Sequence, residues 1–306
     1  MTILGASLWG LSGVCSQYLF AIKQIPTAWL IAVRLTLSGI LFFVVAWSNP
    51  VYRESIKRML HSKHVVMQMV LYSIFGLLLG QVTYFYAIEY SNACTATVLQ
   101  YTSPVLIMLY ASLRAHRLPR KMELGCLAVV MIGVFLLATH GSLDSLSISH
   151  KALLWGLGSS VAMMLYSILP EKLMKEFETM PVIAVAMPLC GFAMSAWVRP
   201  IHTLTGIWDG KTALVLACIV LLGTFFSFYF YLNGLNRVGA PRASICTAAE
   251  PVTSTILTVL VMQLHIVAMD IVGLLFIVGG VLLLTLTSQK KKGCTESAET
   301  DPKSAV

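Results

Sequence analysis

About ten runs of roughly twenty apolar residues fill this 306-residue chain, and they repeat as two copies of one five-run pattern. Hydrophobic residues make up 58% of the sequence and charged ones 11%, more apolar surface than one water-soluble core can hide. Crossing about 30 Å of hydrocarbon takes about 20 helical residues, and only helices or closed barrels satisfy their backbone groups there. The runs predict an all-α membrane protein with ten transmembrane helices at 3–22, 27–47, 67–89, 93–113, 122–139, 153–172, 180–198, 212–234, 241–263 and 268–287. The first run lacks a basic leader and a small-residue cleavage site, so it is expected to be a span rather than a removable signal peptide.

The duplication is plainest in ATVLQYTSPVLIMLY (96–110) and ASICTAAEPVTSTILTV (243–259), which superpose at a constant offset. That register matches Gln100 with Thr247, Ser103 with Glu250 and Pro104 with Pro251. It continues to Gly76 with Gly223, Tyr84 with Tyr231, Ala93 with Ala240 and Gly133 with Gly280. A repeat with an odd number of spans ends on the side opposite to its start, so its second copy must sit upside down in the bilayer. The expected organisation is a first five-helix repeat over 1–139, an external linker at 140–152, a second repeat over 153–288 and a disordered cytoplasmic tail at 289–306.

The net charge of +8 does not point to nucleic acid, because the basic residues are spread over short loops instead of one face. Arg53, Lys57, Arg58, Lys63, Arg114, Arg117, Arg120, Lys121, Lys172, Lys175, Arg237, Arg242 and Lys290 to Lys292 all fall on alternate loops. By the positive-inside rule those loops are cytoplasmic, which puts both termini in the cytoplasm and 140–151 outside. The expected partners are the lipid bilayer and a small-molecule substrate, with no cofactor, and the chain is expected to be monomeric. The seven cysteines show no CxxC pair and suit packing. The seven histidines sit in loops or at span ends without metal spacing, and no GxxxxGK[ST] string is present, so neither an enzyme nor an ATPase is expected.

Candidate site residues follow from the cost of polar groups at mid-membrane depth. Pro104 and Pro251 lie about 13–18 Å from the start of their spans and each is expected to free the carbonyl four residues earlier, on Gln100 and Thr247. Glu250 is the one acidic residue near the middle of a span, a candidate for proton coupling or for holding a substrate ammonium; as a protonated acid it could equally donate a hydrogen bond between helices. Arg34, seven residues into the second span, is expected to meet a substrate carboxylate or a gating carboxylate such as Glu89, or else to form a fixed ion pair or reach the outer interface. Trp9, Ser12, Ser16, Gln81, Tyr84, Gln100, Tyr101, Tyr166, Tyr229 and Thr247 complete the expected substrate pocket, whose aromatic faces would attract a cation. Gly76 with Gly80, Gly156 with Ser160 and Gly273 with Gly280 are expected to serve close helix contact.

LWGLSG (8–13), AVRLTLSG with its intramembrane Arg34, YTSPVLIMLY, AAEPVTSTIL and the closing helices GCLAVVMIGVFLLAT and GLLFIVGGVLLL together resemble the EamA branch of the drug/metabolite transporter superfamily. The resemblance covers nearly the whole chain except the tail, and within the family it is nearest to enterobacterial-type inner-membrane transporters. It implies ten helices in two inverted repeats and a secondary transporter, an exporter of amino acids or related metabolites; organic cations are the alternative cargo. A non-transporting membrane sensor is the third reading, against which the polar mid-depth pairs argue.

Overall fold

The computed structural model describes residues 1–114, 116, 118, 121–139, 148–200, 202–231, 233–234, 237, 246–263 and 267–299. Every regular element among them is a helix. The first half holds α1 (Thr2–Ala21), α2 (Thr27–Ser48), α3 (Pro50–His61), α4 (Lys63–Tyr90), α5 (Ala93–Arg114) and α6 (Lys121–Thr139). The second holds α7 (His150–Glu171), α8 (Thr179–Val198), α9 (Gly210–Tyr231), α10 (Ala249–Met262) and α11 (Ala268–Glu299).

Seven of the helices described, α1, α2, α4, α5, α7, α8 and α9, are long and apolar enough to cross a bilayer. The fifth expected span is occupied by the 19-residue α6, and the ninth and tenth by the shorter apolar stretches Ala249–Met262 and Ala268–Leu283. The start of the ninth expected span, 241–245, lies outside the described residues, as do 140–147 of the expected linker and Arg117, Arg120 and Arg242. α7 begins three residues earlier than the expected span because the Ser149 hydroxyl accepts the Ala152 amide and caps it. α11 continues to Glu299, into the segment expected to be disordered; a helix nucleated in the bundle extends one hydrogen bond at a time at little cost. Residues 300–306 lie outside the described ones.

Packing follows the duplication. Exchanging the halves maps α1, α2, α4, α5 and α6 onto α7, α8, α9, α10 and α11. The α2–α8, α6–α11 and α5–α10 pairs map onto themselves; α1–α10 maps onto α7–α5, and α4–α7 onto α9–α1. All of these pairs are in contact. The Gln17 side chain near the end of α1 accepts the Ala93 amide at the start of α5 (2.9 Å), and the Ser149 hydroxyl before α7 donates to the Tyr90 carbonyl at the end of α4 (3.4 Å). The end of α1 and the beginning of α7 therefore lie at the same end of the bundle, so equivalent helices run antiparallel, as an inverted repeat requires.

In lipid no hydrophobic force draws apolar helices together, so close approach rests on small residues. A Cβ on Gly10 would stand 2.7 Å from the Glu250 carbonyl oxygen, so the glycine lets α1 seat directly on the backbone of α10. Gly133 and Gly273 play the same part between α6 and α11, each facing the other's carbonyl at 2.9 Å. Of the glycines expected in contacts, Gly76, Gly156, Gly273 and Gly280 are in them. Gly80 is not: nothing lies within 4 Å of a Cβ placed there.

Two local departures recur at equivalent places. α4 widens into a π-helical stretch at Tyr72–Leu78 and α9 does so at Leu221–Phe226, around the matched Gly76 and Gly223. α5 breaks at Tyr101–Thr102, before Pro104, and a turn at Thr247–Ala248 precedes Pro251 in α10. Both prolines thus stand in the first turn of a new helical segment, where the missing amide would have had no intrahelical acceptor.

Candidate functional site

The widened and broken segments surround a cavity of about 310 Å³ at the contact of the two halves. Trp9 and Ser12 reach it from α1, Arg34 from α2, Gly80, Gln81 and Tyr84 from α4, and Thr97, Gln100, Tyr101, Ser103 and Pro104 from α5. The second half contributes Met163, Tyr166 and Ser167 from α7, Phe228 and Tyr231 from α9, and Thr247 and Glu250. Matched positions converge on it: Tyr84 with Tyr231, Gln100 with Thr247, and Ser103 with Glu250. At about 1.5 Å per residue, Arg34 lies about 10 Å from the end of the bundle where α2 begins, while Ile107, Ser167 and Tyr231 approach the opposite end. The cavity therefore extends from mid-depth toward the end where α1 starts.

Arg34 and Glu250 are the two charged side chains that line it. Arg34 is 4% exposed; its Nε donates to the Thr224 hydroxyl (2.8 Å), Nη2 reaches the Gly223 carbonyl (3.5 Å), and the guanidinium stacks over Phe85 at 4.8 Å. The last contact is worth up to ~2 kcal/mol when dry. Both acceptors sit in the π-helical stretch of α9, whose altered bonding leaves carbonyls available off the helix axis. Arg34 does not snorkel outward, and the expected Glu89 partner is exposed at the end of α4. The opposite charge that acts on Arg34 is Glu250 instead, across the cavity. Glu250 has no side-chain hydrogen bond among the described residues, and Tyr84, Tyr101 and Tyr231 line the same cavity.

The neutral groups divide into satisfied and unsatisfied ones. The Thr97 hydroxyl donates to the Ala93 carbonyl (2.7 Å), so the Tyr84 hydroxyl 2.8 Å away is the donor between the two. Tyr101 and Thr247 hydroxyls lie 3.5 Å apart, and Trp9 packs against Phe228 (5.1 Å) and Tyr231 (4.9 Å). Ser12 Oγ and Gln81 Oε1 are buried and have no hydrogen-bond partner among the described residues.

Four expectations need correction. Ser16 is fully buried and donates to the Ser12 carbonyl (2.7 Å), so it supports α1 without lining the cavity. Tyr229 is 44% exposed and faces Phe230 on the bundle's outside, while Tyr231 takes the cavity position. Pro251 is buried and does not line the cavity, whereas Pro104 does. Nor are the proline-linked carbonyls free: the Ser160 hydroxyl reaches the Gln100 oxygen (3.2 Å), and the Glu250 amide donates to the Thr247 oxygen (2.9 Å). Tyr231 could have been found from the repeat register, which sets it opposite Tyr84. Met163, Ser167 and Phe228 carried no such signal. Among the described residues no three His, Cys, Asp or Glu side chains gather as metal ligands would.

Comparison with known proteins bears on the same architecture. An uncharacterized inner membrane transporter, YicL of Salmonella typhimurium, is 32% identical over 289 residues, 94% of this chain and 95% of its own. An uncharacterized transporter of Bacillus subtilis, YyaM, is 25% identical over 76% of this chain and 77% of its own. A protein of known crystal structure superposes on 93% of this chain and 98% of its own with a TM-score of 0.58; at 18% identity that likeness shows the fold alone. The EamA-like transporter family model matches residues 1–139 and 150–286, the two halves that meet at the cavity, and this multi-pass membrane protein belongs to that family.

Proposed function

We propose that the protein is a secondary transporter that binds a small metabolite, such as an amino acid, in the mid-depth cavity and exports it by alternating access of two inverted five-helix halves. One observation carries this reading: a single cavity is built from equivalent positions of both halves, and its two charges, Arg34 and Glu250, come from opposite halves. Rocking one half against the other would pass the site from one face of the membrane to the other. The separation of a guanidinium from an unbonded carboxyl suits a zwitterion, with Arg34 taking its carboxylate and Glu250 its ammonium.

A second cargo class, organic cations, is favoured by a different observation. Two of Arg34's donor groups are already engaged, whereas the acceptors Glu250 and Gln81 Oε1 are unengaged and the wall is aromatic. Thermal-shift screening of the purified protein against amino acids and the matching amines without carboxylate separates the two, since any ligand preferring the folded state raises its apparent stability. Stabilisation by amino acids alone, followed by their flux in proteoliposomes, supports the first reading. Equal stabilisation by the amines moves the cargo to cations, and ligand binding without flux in proteoliposomes rejects transport in favour of a sensor.

A further inference from the structure

The end of the bundle opposite the cavity is shut by a strap that runs from the end of α8 to α9. Lys23, between α1 and α2, is 7% exposed, and its Nζ meets Asp209 Oδ2 at 2.6 Å. The same carboxylate caps α9 through the Thr212 amide and hydroxyl, both 2.8 Å from Oδ1. The Ile207 amide donates to the Lys23 carbonyl (2.8 Å), and a Cβ on Gly206, at φ +97°, would stand 2.7 Å from the Lys23 carbonyl oxygen and 2.8 Å from that of Gln24, so only glycine lets the strap lie this close. Trp29 Nε1 donates to the Pro200 carbonyl (2.9 Å) while its ring packs edge-on to Trp208 at 5.0 Å. Beneath the strap Leu19, Ile25, Trp29, Leu30 and Ile219 form an apolar plug.

From this arrangement we infer that residues 202–209 are the gate of the closed end, and that the Lys23–Asp209 pair is its latch. The inference rests on the alternating-access reading, because only in that cycle must this end part. The strap crosses from the second half onto the α1–α2 junction of the first, so relative motion of the halves must break its contacts. The latch joins two charges at the membrane surface, where each can be rehydrated when the pair opens, whereas the plug below excludes water only while the pair holds the strap down.

The test is accessibility, measured without any substrate. In a cysteine-free background, Ser16→Cys places a thiol beneath the plug, at a position that is fully buried and outside the cavity lining. A charged, impermeant thiol reagent is applied from either side of the membrane, with Asp209→Asn or Lys23→Met added. Asparagine keeps the cap of α9 and methionine keeps the apolar stem of the lysine, so neither removes more than the charge pair. Labelling from the strap side is expected to accelerate roughly three- to tenfold in both variants with unchanged melting temperature. Unchanged labelling, acceleration only from the cavity side, or acceleration only with a lowered melting temperature would each overturn the gate. Since wild-type flux is measured separately, failure of the gate and failure of transport are distinguishable.

Discussion

The Glu250 carboxyl lies in a cavity with Arg34 and has no side-chain hydrogen bond among the described residues, so its charge is open to exchange with a proton or a cation. Glu250→Gln keeps shape and hydrogen-bonding capacity, and the variant should insert, fold and melt as the wild type does. Wild-type flux should depend on pH between about pH 6 and about pH 8, and the variant's should not. Unaltered pH dependence would assign the carboxyl to structure. Arg34→Lys should be the more damaging change: an ammonium cannot reproduce the Nε–H bond to Thr224 together with the stack over Phe85. Flux should fall at least about tenfold although the charge is kept. Glu250 and Arg34 were legible in the sequence because charge at that depth is costly wherever it points. Tyr231 was less so. The π-helical stretch at Leu221–Phe226 shifts the phase of all that follows in α9, so a wheel drawn at 3.6 residues per turn misplaces the face that Tyr229 and Tyr231 present.

Helix ends and helix contacts give sharper tests than single side chains. Gly10→Ala would press a Cβ against the Glu250 carbonyl oxygen at 2.7 Å and the Ser254 nitrogen at 3.0 Å, both backbone atoms that cannot swing aside. The variant should be destabilised by ~1–3 kcal/mol. Gly80→Ala meets nothing within 4 Å and improves helix propensity by up to ~1 kcal/mol, so its melting temperature should hold or rise while bulky cargo loses access. The two together separate contact glycines from a space-making one by differential scanning and flux. The helix breaks at Pro104 and Pro251 were legible too, but the destiny of the carbonyls was not. Ser160 comes from another helix, and the Glu250–Thr247 bond belongs to the tightened turn that the break itself creates. The strap has its own pH signature. Hydrogen bonding to Asp209 raises the Lys23 pKa, and bonds from Lys23 and Thr212 hold the Asp209 carboxyl well below the usual range. The lysine's contribution is lost only as pH rises through its raised pKa, the aspartate's only as pH falls through its lowered one. The ratio of strap-side labelling rates between Asp209→Asn and wild type should therefore be flat from about pH 5 to about pH 9. A slope within that window would mean that the pair does not stay ionised.

On the scale of the whole molecule, duplication supplies two equivalent walls and the charges break their equivalence. Glu250 is matched by the uncharged Ser103 in the other half, both lining the cavity, and Arg34 has no charged counterpart, so the cavity is symmetric in backbone and polarised in chemistry. Backbone symmetry was legible as sequence periodicity, because both copies must solve the same problem of breaking a helix in lipid. The state of the cavity was not, since one sequence must serve both of its openings. The contacts of Arg58 with the Glu176 carbonyl and of Arg114 with Glu171 gather basic loops at the end toward which the cavity extends. If those loops are cytoplasmic, the cavity faces the cytoplasm and the strap faces outside. In a cysteine-free background, Thr205→Cys on the strap should then react with an impermeant thiol reagent applied to intact cells. His116→Cys and the cavity-lining Ser167→Cys should react only in inverted vesicles, and a transported ligand should slow the reaction at Ser167 while leaving His116 unchanged. Protection at both positions would mean that the ligand acts through a global rearrangement and not by filling the cavity. The reverse sidedness would overturn the orientation, and with it the assignment of this state as the one that loads from the cytoplasm.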